Sequence, residues 1–284
     1  MSPIIGTKGS DHLVGSPDKA DTIIGDPFSG GLGGAADNGR LLSSGTGGND
    51  LIEGLGGGNH VTGAVDVLYG DAFQITGTGH GGNDTLVAGP DISNLRGDAN
   101  LIGGHGVGGR DVLVGGAGID NLDGDATTMS EHARGAHDIV SGGAGGDQLA
   151  GDAFFMRDQA HGGNDLIDGG PGDDALAGDA FGRDPDTVGG RDRFVFAPGS
   201  GHDDIADFES GKDHFDVHRY HLPGRALGLD TNHDGHVDVQ DAFASINENG
   251  TFVIDLGAAR GGQAGVDTVA FENLTSLTDT DLIA

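Results

Sequence analysis

The chain of 284 residues carries 14 Lys and Arg against 45 Asp and Glu, a formal charge of −31. So acidic a surface repels phosphate and excludes a nucleic-acid partner; the chain must either stay expanded or neutralise itself with bound cations. It has no cysteine, which excludes disulfides, thiolate metal sites and thiol chemistry, while 59 glycines and only 5% aromatic residues leave little bulk to offset the ordering entropy of the backbone.

In chain order, Met1-Ser2-Pro3-Ile4-Ile5-Gly6 has neither a basic region nor an apolar run, so no cleaved secretory signal is expected. No apolar run approaches the roughly 18 residues of a membrane span. Gly6-Thr7-Lys8-Gly9-Ser10-Asp11-His12-Leu13 opens a glycine-aspartate phrase that then recurs, and Gly25-Asp26-Pro27-Phe28 is an irregular first copy of a second phrase. From Gly70 that second phrase becomes strict: Gly70-Asp71, Gly97-Asp98, Gly124-Asp125, Gly151-Asp152 and Gly178-Asp179 follow one another at intervals of 27 residues. A fixed period of this length means stacked like units.

Each unit reads as two turn-plus-strand halves. The first halves place Asp50, Asp84, Asp111, Asp138, Asp165 and Asp192 after turns whose glycines include Gly82, Gly109, Gly163 and Gly190. The second halves place Asp120, Asp147 and Asp174 after Gly116 and Gly118, Gly143 and Gly145, Gly170 and Gly172. Strand side chains alternate faces, so the apolar residue two after each Asp points inward. Leu86, Leu113, Val140 and Ile167 then stack along one inner wall, facing Leu95, Leu122, Leu149 and Leu176. Asn59 and Ser93 stand where Asp120 stands later, which predicts a weaker ladder near the start. The column Leu51, Thr85, Val112, Ile139, Leu166 faces outward; the long turns with Phe73, Phe154 and Phe181, or the carboxy-terminal segment, are expected to cover it, the rival being a bare face for a partner.

The nonapeptide GGxGxDxUx, U being a large aliphatic, resembles the repeat-in-toxin family over most of the chain. The resemblance implies an all-β fold, a parallel β-roll (β-solenoid) over residues 1–205, in which two nonapeptides make a coil of about 18 residues. With an interval of 27, one ordinary turn and one enlarged by about nine residues, opened by Gly-Asp-Ala, are expected. At about 4.8 Å per rung, some seven coils make a rod of roughly 30 Å. The resemblance also implies calcium as cofactor, each ion lying between consecutive turns and sharing Asp120 with Asp147, Asp147 with Asp174, or members of the Asp84 ladder. The glycine turns lend carbonyl oxygens, which suits a hard cation of flexible coordination. Asp71, Asp98, Asp125, Asp152 and Asp179 fall beyond the nine-residue pattern, and their part stays open.

Residues 206–284 read as a cap. Arg193-Phe194-Val195-Phe196 through Phe215-Asp216-Val217, with Gly199-Ser200-Gly201-His202-Asp203-Asp204-Ile205 between, resembles the segment that closes the roll of serralysin-type secreted proteases, which adds Asp203 to the calcium residues. Residues 230–241 fit the EF-hand loop, with Asp230, Asn232, Asp234, His236, Asp238 and Asp241 as ligands. Asp241 replaces the usual glutamate, a helix through Ala242, Phe243 and Ile246 is expected after it, and a plain acidic turn is the alternative. The stretch from Asp267 to Ala284 is similar to uncleaved type I secretion signals, which implies that machinery as a partner, export in the unfolded state and a secreted, extracellular protein.

No HExxH, GxSxG or phosphate-loop motif occurs, and His60, His80, His105, His137 and His161 are read as sharing no column. The expectation is a non-enzymatic calcium-binding protein that folds on meeting extracellular calcium and acts as a surface or matrix adhesive or interaction protein, with polysaccharide, matrix or host membrane as target. The alternatives are a membrane-active secreted protein and the secretion and folding module of a larger enzyme.

Overall fold

The structure, a computed structural model, describes residues 4–7, 10–15, 22–25, 41–53, 65–222 and 228–283. It is nearly all β, in parallel sheets of 11, 9 and 6 strands, an arrangement compatible with a parallel β-roll. The chain visits the sheets in rotation. Ser93–Arg96 lies in the 11-stranded sheet, Ala99–Ile102 in the 6-stranded one and Val112–Gly116 in the 9-stranded one; Asn121–Asp123, Ala126–Met129 and Ile139–Gly143 then repeat the circuit. Every step keeps the 27-residue register: Leu95 pairs with Leu122, Leu113 with Val140, Ala99 with Ala126.

The nine additional residues do not form an enlarged turn: they supply a strand in each repeat, four residues long in Ala99–Ile102, Ala126–Met129 and Ala153–Met156, and these strands build a third parallel sheet with its own core. Its inward positions repeat as small and large residues, Ala99 with Ile102, Ala126 with Met129 and Ala153 with Met156, and the return segment adds Ala133 and Ala160. That pattern fills a thin lobe, and full burial of a Met or Ile contributes about 1.5–3 kcal/mol, enough to hold a short segment as strand once neighbours offer hydrogen bonds. The main core lies between the other two sheets, where Leu86, Leu113, Val140 and Ile167 are buried with Leu95, Leu122, Leu149 and Leu176.

Near the amino end, Thr22–Ile24 pairs with Asp66–Tyr69 and the Gly25 amide donates to the Tyr69 carbonyl, so Gly25 keeps the register of Gly70. Asp26, Pro27, Phe28 and Asn59 lie outside the described residues. The residue in register with Ser93 is Asp66, buried and not foreseen, which corrects the reading of Asn59.

At the other end the main core runs on past residue 205. Phe271 packs against Phe208, Phe215 and Phe252 with ring centroids 5.4, 5.2 and 5.9 Å apart, and Phe196 meets Phe215 at 5.1 Å. Thr268–Phe271 extends the 11-stranded sheet, and antiparallel strands Phe252–Asp255 and Ala244–Ile246 follow it. Antiparallel closure hides an edge that stacking would otherwise leave open. The helix expected through Ala242, Phe243 and Ile246 is therefore replaced by the strand Ala244–Ile246, because pairing with Phe252–Ile254 satisfies its backbone. Leu282–Ile283 adds to the 9-stranded sheet, so the last residues described are part of the packed structure.

In the outward column Leu51, Thr85, Val112 and Leu166 are half-buried, and Ile139 is the exposed member. Phe154 and Phe181 stack on one another in the third sheet with centroids 5.5 Å apart, and Ile139 stands 47% exposed.

Candidate metal columns

Two ladders of aspartates follow the register. Along one, the Asp84 amide donates to Asp111 Oδ1 at 2.7 Å, and the links Asp111 to Asp138, Asp138 to Asp165 and Asp165 to Asp192 are each 2.8 Å. Asp11 and Asp50 extend this ladder at its start, through the Asp11 amide on Asp50 Oδ1 and the Asp50 amide on Asp84 Oδ1. Along the other, Ser93 donates to Asp120, Asp120 to Asp147, Asp147 to Asp174 and Asp174 to Asp203, at 2.7 to 3.1 Å. Each carboxylate thus spends one oxygen on the preceding repeat's backbone. The other oxygen is buried with no donor: Oδ2 of Asp111, Asp120, Asp138, Asp147, Asp165, Asp174, Asp192 and Asp203. An uncompensated buried charge is costly enough that it has to be paired, protonated or bound to metal.

The turn glycines explain why these loops crowd oxygens. Gly143 has φ of +99°, open to glycine at little cost, and a Cβ there would collide with the Gly116 carbonyl oxygen. Likewise a Cβ on Gly145, Gly172, Gly109 or Gly190 would strike the carbonyl of the equivalent glycine one repeat earlier. Gly82 would meet the Gly48 carbonyl, Gly163 that of Ala136, Gly118 that of Asp91, and Gly170 that of Gly143. Carbonyl oxygens therefore stack beside the carboxylates, hard donors of the kind that calcium and similar ions take.

Where the third sheet leaves and rejoins the main core, the molecule has a narrow waist. Asp98 there turns inward and accepts the Gly109 amide at 2.9 Å; Asp71, Asp152 and Asp179 do the same for Gly82, Gly163 and Gly190 at 2.6, 2.7 and 2.6 Å, and Asp125 for Ala136 at 3.3 Å. The Gly-Asp-Ala aspartates are buried, across from the Asp84 ladder. Asp71, Asp84 and Asp98 bring oxygens within 4.8 Å of one another, as do Asp98, Asp111 and Asp125. Asp98 Oδ1, Asp125 Oδ1 and Asp152 Oδ2 are buried without a donor. Glycines line both walls, since a Cβ on Gly97 would meet Asp111 Oδ2 and one on Gly108 would meet Asp125 Oδ1.

Without counter-ions these carboxyls are pushed up. Burial raises Asp98, and the Asp71 charge adds to it; burial raises Asp111, with Asp98 and Asp138 adding; Asp125, Asp152 and Asp165 follow the same pattern. Asp138 reaches about 8, while Asp120 and Asp174 reach about 7 and Asp203 about 8, burial being the main cause in each.

The cap treats its carboxylates differently. Asp207 accepts the amides of Gly178, Asp179 and Ala180, replacing the carbonyl that Asp179 offers to Asp152 and Ala153 one repeat earlier. Asp213, also not foreseen, ends the Asp84 ladder by accepting the Asp192 amide at 3.0 Å, only 21 residues on. Asp216 is paired with Arg193 and His218.

In the 230–241 loop, Asp230 accepts from His233, Asp234 and Gly235. Asp241 accepts from Thr231, Asn232 and Asp238; burial raises it, but these amides outweigh burial and hold it below the usual range. Asn232 and Asp234 bond one another, and the Asp234 and Asp238 side chains accept the amides of His236 and Gln240. Its acidic oxygens do not form a trio within 4.8 Å as the waist does. Among the histidines, His80 and His161 do share a column, with Val107 and Arg134 between them, which corrects the reading from sequence.

No family model, no curated protein and no solved structure matches the chain.

Proposed function

We propose that this is a secreted calcium-binding protein of the repeat-in-toxin kind, a β-roll solenoid that winds up when calcium fills its turn columns and then serves as a non-enzymatic adhesive or interaction surface outside the cell. The observation that carries the reading is the file of buried aspartate oxygens without donors, one per turn and in register, in a chain of charge −31. Asp111, Asp138 and Asp165 on one ladder, and Asp120, Asp147 and Asp174 on the other, with the glycine carbonyls beside them, are the residues that would hold the ions. The donor set is all oxygen, which favours calcium over soft or imidazole-seeking metals. Bound calcium would supply the charge compensation that the fold itself lacks, so folding and binding would be one event, switched by the step from calcium-poor cytoplasm to calcium-rich exterior.

Calorimetric titration of calcium into metal-stripped protein, followed by circular dichroism, tests this. The expected result is conversion of a disordered spectrum to β-structure with several ions bound. A stripped protein that is already fully wound and takes up no calcium overturns it.

A further inference from the structure

The last repeat departs from the others inside the waist. The position occupied by buried Ile75, Ile102, Met129 and Met156 in successive strands of the third sheet is occupied by Arg183 in the final one. Its guanidinium crosses the lobe to the waist. There Nη1 donates to Asp179 Oδ2 at 2.9 Å and to Glu209 Oε1 at 2.8 Å, and Lys212 holds the other Glu209 oxygen.

The neighbourhood of the first turn glycine shows what these groups replace. A Cβ on Gly135 would fall against Asp125 of its own repeat and Asp152 of the next; one on Gly162 would fall against Asp152 and Asp179. At Gly189 the corresponding neighbours are Asp179, Glu209 and the Arg183 guanidinium. Glu209 therefore stands where a following repeat would put its aspartate, and a fixed positive charge lies between the two carboxylates. In the preceding repeats the carboxylates face one another with no such charge, and Asp98, Asp125 and Asp152 each keep an oxygen without a donor.

We propose that the waist is an internal file of divalent cations, additional to the turn-edge sites and sharing the Asp84-ladder carboxylates with them, and that Arg183 occupies its last place, so that metal loading stops at Asp179. This rests on the calcium reading above and extends it to aspartates outside the nonapeptide. Each waist ion would be held by the inward aspartates of adjacent repeats and by one ladder aspartate: the trios Asp71, Asp84, Asp98 and Asp98, Asp111, Asp125 bring oxygens within 4.8 Å, and Asp125, Asp138 and Asp152 hold the same register positions one repeat on. Arginine suits a terminal place because its charge is permanent and its fork binds two carboxylates.

Crystals of the wild-type protein grown in calcium, measured at a wavelength where calcium scatters anomalously, provide the test. Peaks are expected beside Asp98, Asp111 and Asp125 and in the next waist places, with none between Asp179 and Glu209. In solution, Arg183→Met, which restores the residue of the two preceding repeats, should bind one more calcium than wild type, and Arg183→Lys should not. A wild-type peak between Asp179 and Glu209 overturns the inference, as does an unchanged stoichiometry in folded Arg183→Met or an added ion in Arg183→Lys. Edge ions with a metal-free waist overturn this inference and leave the proposed function standing; absence of ions throughout overturns that function. Should Arg183→Met fail to fold, the wild-type map decides alone.

Discussion

The Asp111 amide donates to Asp138 Oδ1 at 2.8 Å, while Asp138 Oδ2 lies buried with no donor. One carboxylate thereby stitches two repeats together and presents an unsatisfied charge. Asp138→Asn separates the two roles, because the amide keeps the Oδ1 acceptor and loses the charge. The variant should be more stable than wild type without metal. In saturating calcium it should be less stable by about 1–3 kcal/mol, the usual worth of a charged interaction. Circular dichroism in chelator and denaturant unfolding in calcium read the two signs, and a variant that loses structure in both conditions would count against the charge argument.

The pH dependence of the metal-free protein should run opposite to ordinary acid unfolding. Asp138 and Asp203 are raised to about 8 and Asp120 and Asp174 to about 7, from a value of 3.8 in the unfolded chain, so the folded state keeps protons that the unfolded state releases. Their share of stability is complete below the unfolded value and is lost as pH rises through the folded values, between about 4 and 8. Stripped protein should therefore show more β-structure at pH 5 than at pH 8 by circular dichroism. Calcium should flatten this dependence and release protons as it binds.

Gly124→Ala addresses the narrowness of the waist. The added methyl would strike the Gly151 carbonyl and Asp138 Oδ2, one of them backbone that cannot move without shifting a repeat. Overpacking of this kind costs about 1–3 kcal/mol. The loss should appear in calcium-loaded protein as a lowered unfolding midpoint. Ala substitution at Gly199, which meets nothing within 4 Å, has no such clash and costs only what its φ of +92° imposes.

Asp241→Ala separates the EF-like loop from the ladders. Asp241 accepts the amides of Thr231, Asn232 and Asp238, so its removal strands backbone donors whether or not calcium is present. In calcium-loaded protein a loss of about 1–3 kcal/mol, with the number of bound ions unchanged, is expected. A calcium stoichiometry one ion below wild type would instead make the loop a working ion site.

The reading of the strands from sequence succeeded where the information is local and repeated. Thr85-Leu86-Val87 and Val112-Leu113-Val114 pair residue for residue, because the interval between aspartates fixes which leucine follows which. Asp213 is not legible in the sequence because the cap shortens the interval, and Asp66 because Gly63-Ala64-Val65 precedes it in place of the glycine-rich turn. Ala242 to Ile246 carried apolar spacing suited to a helix, yet the strand Phe252–Asp255 was there to pair with it.

The period, the two aspartate ladders and the apolar wall are legible in the chain, since each is a short pattern whose meaning does not depend on distant residues. Tertiary structure alone decided that the nine residues after Gly-Asp become a third sheet and that their aspartates turn inward to the waist. It also placed Arg183 against Asp179. A segment such as Ala99–Ile102 has no preference strong enough to choose loop or strand alone; hydrogen bonds from repeats 27 residues away, and the lobe they jointly bury, make the choice.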